Sequence, residues 1–121
     1  MKFVRLYTDD AGESHFEDME ETFFLREFAP PAPAVHVTKP RDAERLLFVR
    51  ISIDWKGGWH PAPKRQVFVC LSGKIEITAS DGESRLFLPG NVILAEDTSG
   101  RGHKTKVIGE EDGRAAIIQL E

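Results

Sequence analysis

The stretch 57-GGWHPAPKRQVFVCLSG-73 decides how this chain is read. It runs from Gly57-Gly58 through Trp59, His60 and two prolines into an apolar segment, Val67 to Leu71, that closes on Ser72-Gly73. Glycine and proline interrupt regular structure, and a short apolar run bounded by them reads as a strand. A strand starting at Gln66 and turning at Gly73 leaves His60 and Gln66 just ahead of it. Polar side chains there can hold a metal, move a proton, or only pack.

Outward from this stretch the same grammar repeats. "RLLFVRISIDW" (45–55) places Leu47, Val49, Ile51, Ile53 and Trp55 at every second position, the period of a half-buried strand. "KIEITAS", "SRLFL", "NVILAE", "KTKVIG" and "AAIIQLE" follow as short β-rich segments. They are separated by turns at "SGK" (72–74), "SDGE" (80–83), "LPGN" (88–91) and "EDGR" (111–114). "APPAPA" (29–34) is a stiff extended connector, and "TKPRDAER" (38–45) reads as a turn or one helical turn. Seven or more short strands without a long helix predict an all-β sandwich or barrel. With 121 residues this is one domain, with N-terminal strands and a Pro-rich arm over 1–44 and a core barrel over 45–121.

Composition narrows the function classes. The net charge is −4, and the run "DDAGESHFEDMEE" (9–21) carries seven carboxylates and no Lys or Arg. Such a run reads as a solvated edge and argues against nucleic acid, which binds through basic side chains. The lone Cys70, set in "VFVCL", forms no intrachain disulfide and reads as a small buried hydrophobe. No apolar run nears the roughly 20 residues of a membrane span, and no leader follows the first basic residues, so a cytoplasmic setting is expected. An edge at "MKFVRLY" and the Pro-rich arm beyond it give the expectation of a homodimer.

The spacing His60-x-Ala62-x3-Gln66-x6-Gly73 resembles the first motif of the cupin superfamily, G-x5-H-x-H-x3/4-E-x6-G. Asp54 stands at the opening Gly, Ala62 at the second His and Gln66 at the Glu. Gly90-x5-Glu96 and Gly100-x2-His103 resemble the two halves of the second motif, with two extra residues between them and Val107 at the Asn. The resemblance spans roughly residues 45 to 120. It implies a double-stranded β-helix, the jelly-roll cupin barrel, with a small-molecule ligand in its lumen.

In that family three His and one Glu bind a divalent metal. Here Ala62 offers no donor and Gln66 only a neutral amide oxygen, so a metal-free pocket is favoured over a bound metal. Glu96 or Asp97 is the candidate third ligand for a 2-His-1-carboxylate set, while Asp97 also suits a turn in which it bonds "TSG". Without metal, His60 and His103 are expected to carry acid–base chemistry of the isomerase, dehydratase or lyase type on a small polar metabolite. Gln66 would position the substrate, Asp97 would support the loop, Trp55 and Trp59 would wall the mouth, and Arg101 would receive a carboxylate or phosphate. The rival expectations are a metal-dependent oxygenase or isomerase and a non-catalytic binding or sensor domain. His15, among carboxylates, and His36, beside Val35 and Val37, match neither motif.

Overall fold

Alternating apolar residues and closely spaced turns give eleven strands and no helix in the computed structural model, which describes all 121 residues. They are β1 (Lys2–Thr8), β2 (Ser14–Glu20), β3 (Phe24–Arg26), β4 (Val35–Val37), β5 (Arg45–Ile51) and β6 (Gln66–Ser72). β7 (Lys74–Ala79), β8 (Ser84–Phe87), β9 (Val92–Glu96), β10 (His103–Ile108) and β11 (Gly113–Gln119) follow. A six-stranded sheet has the order β2-β1-β9-β6-β11-β5, and a three-stranded sheet the order β10-β7-β8. The pair β3-β4 stands apart as a hairpin. Within the large sheet only the β1–β9 pairing is parallel.

The two sheets face each other across a core of Leu6, Phe16, Cys70, Ile75, Ile77, Ala79, Phe87 and Ile93, with Val4 and Phe68 packed against it. Burying each large side chain here contributes about 1.5–3 kcal/mol. Ser14, fully buried, stitches one side of the sandwich. Its hydroxyl donates to the Gly102 carbonyl at 2.7 Å and accepts from the Ser80 amide at 2.8 Å. The other side stays open, because β5 and β10 end their respective sheets without pairing. Residues 52–65 span that gap. Gly57, Gly58, Pro61 and Pro63 keep this segment from forming a ladder. The architecture is therefore all-β with sheets that do not close into a continuous barrel.

Three sequence expectations change. β5 ends at Ile51 rather than running to Trp55, because the Trp55 amide folds back to the Ser52 carbonyl at 3.0 Å. Residues 38–44 form no helical turn. β1 is no edge: the acidic segment turns at Asp9–Gly12 and returns as β2, with Ser14 and Phe16 inward and Glu17, Asp18 and Glu20 in solvent. The true edges of the large sheet are β2 and β5.

Candidate functional site

His60 and His103, 43 positions apart, form an isolated antiparallel bridge. Each amide donates to the other's carbonyl, at 3.0 and 2.9 Å. Directly opposed residues in an antiparallel pair send their side chains to the same face. The two imidazoles accordingly lie 4.6 Å apart between centroids, inclined at 58°. Gly102 makes the approach sterically feasible. A Cβ on it would lie 2.1 Å from the His60 carbonyl oxygen, and its φ of +77° is one that other residues rarely adopt.

Both rings have one nitrogen already engaged. His60 Nδ1 lies 2.9 Å from the Gly58 carbonyl oxygen, and His103 Nδ1 lies 2.5 Å from Asp97 Oδ2. Carbonyl and carboxylate oxygens only accept, so each neutral ring carries its proton on Nδ1 and a lone pair on Nε2. Asp97 is fully buried, and its Oδ1 has no hydrogen-bond partner. Asp97 thus bonds the His103 ring and not the "TSG" turn. Its own carbonyl is held by the Ala62 amide at 3.0 Å.

The two imidazoles line a cavity of about 180 Å³ together with Leu6, Val49, Ile51, Trp55, Gln66, Phe68, Ile77, Ile93, Ala95, Thr105 and Ile117. It is smaller than the roughly 300–1,000 Å³ of common ligand pockets, so it suits a compound of few carbons. Gln66 Oε1 accepts from Gln119 Nε2 at 3.3 Å, which leaves the Gln66 NH2 for a ligand. Trp55 meets His60 edge-on at 5.9 Å and 87°, with its ring resting on Gly57, and walls the mouth. Trp59 does not line the cavity. Its ring carries Arg101 at 4.3 Å and Lys104 at 4.7 Å, so Arg101 stacks on an aromatic face beside the site instead of reaching into it. A groove of about 400 Å³ adjoins the cavity at Trp55 and Thr105 and is edged by Lys56, Lys104 and Lys106, with one carboxylate, Glu76.

The donor set does not fit a divalent metal. No three His, Cys, Asp or Glu side chains are placed so that they could hold one metal ion. Glu96 is out of reach because β9 alternates: Ile93 and Ala95 face the cavity, and Glu96 lies on the other side. There Arg5 and Arg65 donate to it at 2.6 and 2.7 Å. Burial pushes the Glu96 carboxyl up, but those two hydrogen bonds outweigh it and hold the group below its ordinary range. Two imidazoles and an amide are fewer strong ligands than such ions require.

Sequence reasoning missed Thr105, whose inward position on β10 follows from the alternation with Lys104 and Lys106. It also missed Gln119 as the partner of Gln66, which only the β6–β11 register shows. No protein-family model matches the chain, and a comparison with curated proteins finds no relative.

Proposed function

We propose that this chain is a small cupin-like enzyme in which His60 and His103 perform paired acid–base chemistry on a small polar metabolite. One observation carries the reading: two imidazoles, both with Nε2 unprotonated in the neutral ring, share one small and largely apolar cavity. The cupin assignment draws support from the facing antiparallel sheets and from the motif glycine Gly73, which turns β6 into β7 at a φ of +76°. A Cβ there would lie 2.7 Å from the Asp112 carbonyl oxygen, so the turn requires glycine.

The chemistry follows from the placement. His103 Nε2 takes a proton from a carbon next to a carbonyl, while Asp97 holds the ring in that tautomer and balances the positive charge that forms. Gln66 donates its NH2 to the carbonyl oxygen, where negative charge develops. His60, as the acid partner, returns a proton to carbon for isomerisation or to a departing hydroxyl for loss of water. The lysines around the adjoining groove favour a substrate with a carboxylate or phosphate tail.

The test is hydrogen exchange in heavy water, followed by proton NMR, across a panel of small hydroxy-aldehydes, hydroxy-ketones and hydroxy-acids. Wild type should exchange or eliminate at least one of them. His103→Ala and His60→Ala should each slow that turnover roughly 100- to 10,000-fold. A substrate that both variants turn over at the wild-type rate ends the acid–base reading. A rise in melting temperature with a compound that is never transformed would mark a binding domain instead.

A further inference from the structure

The face of the large sheet turned away from the core is apolar in the part that includes its β5 edge, and it is exposed at that edge. In register, Leu46, Ile118 and Val67 lie side by side across β5, β11 and β6. Phe48, Ala116 and Val69 form the next row, and neither row contains a charge. Leu46 is 62% exposed and Phe48 70%. A second apolar surface lies on the β3-β4 hairpin and its connector. Phe24, Leu25, Phe28 and Val35 are all exposed there, Phe28 to 72%.

Neither surface is stable as it stands. An isolated two-stranded hairpin is marginal in water, and this one packs chiefly strand on strand. The accessible surface of the chain is 7678 Å². A compact monomer of 13.6 kDa exposes about 6,600 Å² by the usual scaling with mass. The excess, roughly 1,100 Å², exceeds the roughly 800 Å² that each partner contributes to a standard interface. β5 adds an unpaired edge beside the exposed rows.

We propose that these two surfaces cover each other between two copies of this chain, the β3-β4 arm of one protomer lying on the β5-β11-β6 face of its partner. Both halves of the contact belong to one sequence. A two-fold pairing therefore satisfies each arm and each sheet face at once. The contact involves none of the cavity's polar groups, so it stands or falls apart from the catalytic reading.

The test is sedimentation velocity on the full chain at low and high micromolar concentration. The expected species has twice the chain mass. Phe48→Lys on the sheet and Phe28→Glu on the arm should each weaken the dimer by at least about tenfold. Leu86→Lys, an exposed leucine on the small sheet, should not. Circular dichroism and thermal melting establish that the variants fold. A wild-type monomer, or a dimer indifferent to both Phe48→Lys and Phe28→Glu, overturns the proposal. So does a monomer that floats with phosphatidylcholine or phosphatidylglycerol vesicles, which would assign the face to lipid.

Discussion

Two histidines in this molecule each sit against aspartate, and only one is free to do chemistry. His15, on β2, has both ring nitrogens taken: Nε2 lies 2.7 Å from Asp9 and Nδ1 2.8 Å from Asp81. It joins the β1–β2 turn to the turn between β7 and β8 and has no atom left for a ligand. His103 has one nitrogen on the buried Asp97 and the other toward the cavity and His60. The same residue pair thus makes a staple in one place and a candidate base in the other. The number of carboxylates decides, together with whether the remaining nitrogen meets solvent, protein or a hollow.

The comparison breaks most sharply at Asp97. Asp97→Asn keeps the shape but lets the amide donate to Nδ1, which turns the lone pair away from the cavity. Turnover on the substrate found by exchange should fall about 100-fold or more, and nitrogen-15 NMR of His103 should show the tautomer change. Unchanged turnover in a folded Asp97→Asn protein would reduce Asp97 to a buried structural group.

Next comes Gln66. Gln66→Leu removes the free NH2 and leaves the Gln119 amide without its acceptor, so turnover should drop about tenfold through one lost hydrogen bond. A loss confined to KM would assign Gln66 to binding alone.

The smallest effect belongs to His15 and is one of stability. Hydrogen bonds to Asp9 and then Asp81 raise its pKa above the ordinary 6.5. A raised histidine contributes stability in full below 6.5 and loses it as pH climbs through the folded value. Asp9 is shifted the other way, chiefly by its hydrogen bond to His15. It contributes above 3.8 and loses that contribution as pH falls through its lowered value. The staple is therefore strongest between those limits. His15→Gln should lower the melting temperature there by a few degrees at most and converge with wild type at alkaline pH. A gap between the two proteins that widens with rising pH would contradict the staple.

Much of this was legible in the chain because it is local. The strands from Gln66 to Gln119 follow period-two alternation and turn where glycine permits a positive φ, as at Gly73 and Gly90. Cys70 is buried, as its apolar neighbours imply. His60, Gln66 and His103 were marked by the resemblance to the cupin motifs, and all three line the cavity. Trp59 and Arg101 stand beside His60 and His103 in the chain yet pair with each other outside it, since loop residues have no fixed periodicity to read. The alternation that correctly put Ile51 inward was carried too far at Ile53 and Trp55, where the Ser52 turn ends the strand.

By itself, then, the sequence determined the all-β class, the turns and the residue types available to a site, because backbone sterics and side-chain alternation act over a few neighbours. The tertiary structure alone decided that β1 runs parallel to β9, that Asp97 backs His103, and that Glu96 faces two arginines across the sheet from the cavity. It alone set His60 against His103 and left Leu46 and Phe48 bare. Those outcomes depend on contacts between distant segments. Many registers would satisfy the local rules, and burial of the one shared core selects among them.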